Sequence, residues 1–334
     1  VKLLIRVYSM CEPELKKEFQ PIIFKIEESL KRNVHSQISI TEDMVRYGLL
    51  GSGKRLRPLL FILSYRLFEM DDNDDLYDYS IIFEFIHTAS LFHDDVIDNS
   101  EYRRKKPSVK KIWGNNAAIL GGDFLFSRAL EIAVRIKNST FLEIVAQTTT
   151  RMAEGQVLEL VNIDNMDLTE QEYLRIVRLK TAFLISCACT CGAILAGAKR
   201  GLVEHVSEFG INMGMAFQLV DDILDFTGSI EDMGKPPLKD IKEGKITLPV
   251  IYTLAQLVPE ERDRFRKIFF NARDRQYDFE YLIGVIRKKG GIEKTLNVAH
   301  LYIERAKKEL RSLPDSYAKL CLKRLCNYIL HRRH

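Results

Sequence analysis

An all-α bundle is the fold class the sequence predicts, and three observations predict it. Proline is scarce, with 9 in 334 residues, roughly half the usual ~5% share. None lies between Pro107 and Pro236, so that stretch can hold long uninterrupted helices. Ile81–Asp98 (IIFEFIHTASLFHDDVID) is apolar around most of its circumference and gathers its charge at the carboxyl end, the pattern of a buried central helix whose tip opens into a polar site. Helical patterns do not alternate with short β-branched runs, so no parallel sheet is expected.

Taken in order, Val45–Met70 reads as a glycine-rich turn, Gly48 to Gly53, feeding a helix that starts near Pro58. The acidic stretch MDDNDDLYD after it reads as a solvated loop. The Ile81–Asp98 helix comes next, and Lys105–Pro107 marks a loop. Apolar periodicity then predicts helices over Ala117–Lys137, Phe141–Leu160, Thr169–Ala198, Val203–Phe226, Leu248–Val258 and Asp278–Lys289, and a final pair within Ile292–Leu330. Asn162–Leu168 and Thr227–Lys245 read as loops, the second from Gly228, Gly234, Pro236, Pro237 and Gly244. No repeat or low-complexity linker divides the chain, so residues 1–334 are expected to form one domain of about ten helices.

Composition bounds the function. Lys and Arg total 50 against 46 Asp and Glu, a net charge of +4, too small for nucleic-acid binding through overall charge. The 6 cysteines in so long a chain are no disulfide framework, and no secretory pattern follows the start VKLLIRVYSM, so a cytoplasmic protein with reduced thiols is expected. No charge-free apolar run approaches the length of a membrane span. Cys187, Cys189 and Cys191 do not converge on one ion at helical spacing. With Ser186, Ala188, Gly192 and Ala193 beside them they read as small-residue helix packing.

The pattern DDxxD recurs, so context must separate its occurrences. Asp71, Asp72, Asp75 and Asp74, Asp75, Asp78 overlap in the polar loop and are set aside. Asp94, Asp95, Asp98 and Asp221, Asp222, Asp225 instead end strongly apolar helical segments. Residues four apart share a helix face, so Asp94 pairs with Asp98 and Asp221 with Asp225, and the helix dipole worsens their repulsion. Ion pairs with Lys or Arg could compensate. So could Mg²⁺, which takes oxygen ligands from one or two carboxylates plus substrate phosphates. Two such clusters facing each other would cage Mg²⁺ and a diphosphate, the neutralisation that ionising a carbon–oxygen bond to a diphosphate requires.

Cations for a diphosphate are grouped nearby. Lys54 and Arg57 flank a turn in GKRLRP, suited to gripping a phosphate from two sides. Gly48-x4-Gly53-Lys54 approaches a P-loop, but Arg55 stands where Ser or Thr is needed and no strand precedes it. Arg103, Arg104, Lys105 and Lys106 follow the first cluster, while Lys180, Lys235 and Lys245 lie on segments that could reach the second. His87 lies two turns before Asp94 and could donate to a phosphate.

These residues resemble the trans-isoprenyl diphosphate synthases, the polyprenyl synthetase family, and within it the bacterial long-chain enzymes such as the octaprenyl diphosphate synthases. The resemblance runs from about Glu14 to near the end and rests on GKRLRP, FIHTASLFHDDVIDNSEYRR, GDF at 122–124, AEGQ at 153–156, KTA at 180–182, and FQLVDDILDF followed by GK and DIKEGKITLP. It implies an all-α isoprenoid-synthase bundle with a central cavity, generally homodimeric. It also implies direct Mg²⁺ ligation by Asp94, Asp98 and Asp221, with about three ions per site once substrate is bound. Asp95, Asp222 and Asp225 would support that cage. Arg103, Lys180 and Lys245, helped by Lys235, would hold the allylic diphosphate, and Gln218 would line the site. Lys54, Arg57, His87 and Arg104 would hold isopentenyl diphosphate. SGK and RRKK replace the commoner GGK and RRGK without removing a charged contact.

The implied reaction is electrophilic prenyl transfer. The allylic diphosphate (farnesyl or geranylgeranyl diphosphate) ionises, the isopentenyl double bond attacks, and a proton leaves with pyrophosphate as base. Ser90, Ile86 and Phe83 lie one, two and three turns behind Asp94, so the growing chain is expected to run down this helix. Ala89 and Ser90 are small where short-product relatives carry an aromatic floor. The expected product is therefore about C30 to C50, with about C40 the single expectation, stopped by Phe83 or a residue of Phe141–Arg151. Its use would be a quinone side chain, and release of so apolar a product would involve transient membrane contact. Alternatives are a short-chain synthase, a terpene cyclase or squalene-type synthase, a metal-dependent phosphohydrolase and a non-catalytic regulatory subunit. The intact second aspartate motif argues against the cyclase, the lack of His ligands near His93 and Asp94 other than His87 against the hydrolase, and the full set of aspartates and basic residues against the regulatory subunit.

Overall fold

The computed structural model describes residues 11–50, 53–72, 74–103, 106–227, 238–271 and 276–331. Arg104, Lys105, Lys235, Pro236 and Pro237 lie outside the described residues. The chain runs through α1 (Cys11–Asn33), α2 (Ser39–Leu49), α3 (Leu56–Tyr65), α4 (Asp74–Ser80) and α5 (Ile82–Ile97). A two-stranded ribbon, β1 (Tyr102–Arg103) against β2 (Lys106–Pro107), precedes α6 (Val109–Trp113), α7 (Asn115–Arg135) and α8 (Ser139–Val161). Next, α9 (Glu170–Val177) passes through a π segment (Arg178–Ala182) into α10 (Phe183–Leu195). The chain then forms α11 (Arg200–Thr227), α12 (Lys239–Lys242), α13 (Leu248–Leu254), α14 (Pro259–Asn271), α15 (Gln276–Lys288), α16 (Gly291–Arg311) and α17 (Tyr317–His331). Apart from the ribbon, the architecture is the all-α one expected.

One contiguous apolar cluster extends from Phe19 to Ile329. Its middle is α5, packed on α7, together with α10, which lies between α3 and α11. The α9–α10 helix is apolar and long enough to cross a bilayer, but its most apolar window is 78% buried inside the protein, so its hydrophobic surface is already covered by neighbouring helices. Cys187, Cys189 and Cys191 are buried there, with Sγ of Cys187 and Cys191 4.0 Å apart.

Several local expectations change. Gly48 belongs to α2 rather than a turn, and a Cβ there would lie 2.3 Å from the Phe92 ring, so close packing on α5 selects the glycine. The acidic stretch is not a solvated loop. Asp74–Ser80 is helical, Asp72 pairs with Arg66 and Tyr77, and Asp78 accepts from Ser29 at 2.5 Å, Arg32 at 2.7 Å and Asn33 at 2.9 Å. These aspartates tie α1 and α3 to α4. Helices α1, α2 and α14 arise where charge-rich segments hide their apolar faces from a simple periodicity reading.

Candidate active site

Both aspartate clusters sit at helix ends where the bundle turns polar. Asp94 and Asp95 belong to the last turn of α5, and Asp98 caps it, its N–H donating to the Asp94 carbonyl at 2.8 Å. Asp94 and Asp95 are buried, at 9% and 2% exposure. Asp95 is held by the Arg103 fork, with Nε at 2.9 Å and Nη2 at 2.7 Å from Oδ1. Burial disfavours the Arg103 charge, but Asp95 outweighs it and raises its pKa. The ribbon after α5 thus serves to bring Arg103 back onto Asp95.

Asp94 and Asp98 face two lysines. Lys180 Nζ lies 3.8 Å from Asp94 Oδ2, and Lys245 Nζ lies 3.1 Å from Asp98 Oδ2 and 2.8 Å from Glu243 Oε2. Glu159 on α8 holds both, bonded to Lys180 at 2.5 Å and 3.8 Å from Lys245. Burial, then Asp98 and Glu159, raise the Asp94 pKa against the pull of Lys180 and Lys245. Burial alone would lower the Lys245 pKa, but Glu159, Asp98 and Glu243 outweigh it and keep the ammonium charged.

Across the site, α11 presents the second cluster. Asp222 accepts from Gln218 Nε2 at 2.9 Å and from the Tyr173 hydroxyl, while Gln218 Oε1 accepts from Thr181 at 3.0 Å. Asp225 accepts from the Lys239 and Asp240 N–H groups at 3.2 and 3.0 Å, fixing the start of α12 to α11. Asp222 and Asp225 are buried at 3% each, and Asp221 is the more accessible of the three.

The π segment joins the two halves. Lys180 reaches Asp94 and Glu159, while the next residue, Thr181, reaches Gln218. Successive residues point about 100° apart, so one turn serves both Asp94 on α5 and Gln218 on α11. Glycines make room for it. A Cβ at Gly155 would lie 2.8 Å from Lys180 N, and one at Gly214 would lie 2.6 Å from Ala182 Cα.

Lys54 is exposed and Arg57 buried at the start of α3. His87 lies on α5 beside a small cavity shared with Arg55, Glu84, Asp95 and Arg103. Arg104 and Lys235 lie outside the described residues. Sequence reasoning missed Glu159, Glu243 and Tyr173. Glu243 stands two residues before Lys245 in DIKEGK, where an acid beside the lysine was the available signal, whereas Glu159 lies 21 residues from Lys180 and carries no such signal.

The donors fit Mg²⁺. All are carboxylate oxygens, and Asp94 carries more buried negative charge than its surroundings stabilise. Among the described residues no group of three or more His, Cys, Asp or Glu could hold an ion alone. Carboxylates of this kind suit Mg²⁺, which completes its coordination with water and phosphate.

The bundle thus carries paired acidic clusters with lysines between them, and comparison with known proteins gives the family. The polyprenyl synthetase family model matches residues 38–286. The chain is 35% identical over 308 residues to heptaprenyl diphosphate synthase component 2 of Bacillus subtilis, covering 92% of this chain and 87% of that one. It is 33% identical over 288 residues to the octaprenyl diphosphate synthase of Escherichia coli, covering 86% and 88%. With the geranylgeranyl diphosphate synthase of Saccharolobus solfataricus it is 32% identical over 333 residues, covering 97% and 100%. A crystal structure of polyprenyl synthase from Caulobacter crescentus, complexed with calcium and isoprenyl diphosphate, superposes with a TM-score of 0.90 at 34% identity over 96% of this chain and 97% of that one.

The chain belongs to the polyprenyl synthetase family. It is a prenyltransferase, a trans-prenyl diphosphate synthase.

Proposed function

We propose that the chain condenses isopentenyl diphosphate with farnesyl or geranylgeranyl diphosphate into a long-chain all-trans polyprenyl diphosphate of about C30 to C50, with about C40 the favoured product. The observation that carries the reading of the site is the alternation of Asp94, Asp98 and Glu159 with Lys180 and Lys245. Asp94, Asp98 and Asp221 would hold Mg²⁺, about three ions with substrate bound. When bound, the metal neutralises charge on the leaving diphosphate. Lys180 and Lys245 grip that diphosphate with Arg103, Lys235 is assigned the same role by sequence alone, and Gln218 orients Asp222. Lys54, Arg57, His87 and Arg104 hold isopentenyl diphosphate. The allylic C–O bond breaks, a C–C bond forms to the isopentenyl double bond, and the proton lost goes to the departing pyrophosphate.

Small Ala89 and Ser90 near the aspartates support long products, as does similarity to relatives named for heptaprenyl and octaprenyl diphosphate. A second reading, a short-chain product of about C15 to C20, is favoured by one observation. Phe83, Phe61 and Phe141 form a fully buried trio, with Phe83 5.3 Å from Phe61 and 6.2 Å from Phe141 between centroids. Phe83 lies about 16 Å along α5 from Asp94, a depth of about three isoprene units at about one helical turn each. Longer products require these rings to part.

A homodimer in the cytoplasm completes the reading. Leu120, Leu130 and Val134 on α7 and Val157, Leu160 and Val161 on α8 are exposed at 49 to 68%. Such an apolar face suits burial against a second copy.

The test is incubation of the purified chain with Mg²⁺, isopentenyl diphosphate and farnesyl diphosphate, followed by product chromatography. Polyprenyl diphosphates beyond C20 are expected. Products ending at C20 would favour the second reading, and pyrophosphate release independent of isopentenyl diphosphate would overturn both.

A further inference from the structure

Arg55 sits between Lys54 and Arg57, yet it faces away from solvent with a side chain only 2% exposed. It is one of the few described non-glycine residues at positive φ, with φ 48° and ψ 35° at the cap of α3. A non-glycine residue holds that conformation only when its surroundings fix it. Three bonds do so here. Nε donates to Glu27 on α1 at 2.7 Å, Nη1 to Glu84 on α5 at 2.7 Å, and Nη2 to the Leu49 carbonyl at the end of α2 at 2.6 Å.

Glu84 is itself buried, at 3% exposure, and it lies three residues before His87, a neighbour on the same helix face. Arg55, Glu84 and His87 line one cavity with Asp95 and Arg103. A planar guanidinium can serve three acceptors in fixed directions, which an ammonium on a flexible stem cannot.

We infer that Arg55 and Glu84 form a buried clamp that positions the Lys54–Arg57 turn against His87 and so sets affinity for the diphosphate of the non-allylic substrate. Arg55 is a positioning residue and touches no substrate. The inference rests on the reading of Lys54, Arg57 and His87 as the isopentenyl diphosphate site.

The test uses the full chain and the double variant Arg55→Met with Glu84→Gln, which removes the clamp and leaves only Glu27, whose side chain is partly exposed to water, without its guanidinium. KM for isopentenyl diphosphate should rise at least tenfold, while KM for farnesyl diphosphate stays within twofold and the thermal midpoint shows a folded protein. Arg55→Lys should fall between the double variant and the wild type in KM. An isopentenyl diphosphate KM within twofold of wild type, or equal rises in both KM values, would overturn the clamp. Lys54→Ala separates the two failures. If it raises the isopentenyl diphosphate KM and the double variant does not, the clamp alone is wrong. If Lys54→Ala also leaves that KM unchanged, the site reading fails and the clamp with it.

Discussion

Lys245 places its Nζ 3.1 Å from Asp98 Oδ2 across 147 residues of sequence, and the same atom lies 2.8 Å from Glu243. One ammonium thus ties the end of α5 to the loop beyond α12. The contact brings a cation to the first aspartate cluster.

That contact predicts a pH signature. Neighbouring carboxylates raise the folded pKa of Lys245 above its unfolded value of about 10.4. Its stabilisation is therefore fully present below about pH 10 and is lost only as pH rises through the higher folded value. Lys245→Met should cost roughly 3 kcal/mol, because Asp98 and Glu243 lose their partner. The difference in unfolding free energy between wild type and variant should stay flat from about pH 6 to 9 and shrink only above about 10. Denaturant melts across pH would show it, and a difference that disappears near neutrality would refute the assignment.

The glycines around the π segment should resist change. Gly155→Ala and Gly214→Ala each put a methyl against the backbone at Lys180 or Ala182. Overpacking of this kind costs about 1 to 3 kcal/mol. Displacement of Lys180 should lower kcat by roughly tenfold or more. Paired measurement of stability and turnover checks it, and full turnover in a destabilised protein would separate packing from catalysis.

Opening the ring trio should lengthen the product. Phe83→Ala removes a fully buried ring, at a cost of about 3 to 5 kcal/mol, and lets the chain run deeper between α3, α5 and α8. Ala89→Tyr should do the reverse and truncate the product while turnover persists. Product chromatography reads both. Unchanged lengths in both variants would mean that the chain does not follow α5.

Charge on the apolar face of α7 and α8 should keep the chain monomeric. Leu120→Glu with Val161→Glu is expected to convert a dimer into a folded monomer in sedimentation velocity. A wild-type chain that is monomeric at micromolar concentration would remove the premise.

Much of the fold was readable because α5, α7, α8, α10 and α11 are apolar over long unbroken runs. Their ends fall within a few residues of those expected from periodicity. The outer helices were less readable. In α14, eight of the first nine residues after Val258 are charged or proline, and only Phe265 and Phe269 are buried. In the site, Asp94, Asp98 and the lysines were legible because like charges on a buried helix demand compensation. Glu159 was not, since a single glutamate on a helix face reads as solvated until the fold brings two lysines to it. Asp95 and Asp225 read as supports of the cage in the sequence, and the bonds they make, one to Arg103 and the other to the backbone of α12, appear only in the fold.

The π segment has a further effect, on phase. Each helical residue advances the face by about 100°, so a single added residue rotates everything after it. The capped start of α9 and the cysteine-lined α10 are therefore two phases of one rod, spliced at Lys180. Deleting one residue between Arg178 and Ala182 would leave composition, apolarity and helix propensity almost untouched. It would still swing Leu184, Ile185 and Cys189 off their contacts, so the bundle's tolerance to deletion should be lowest where its helix looks most continuous.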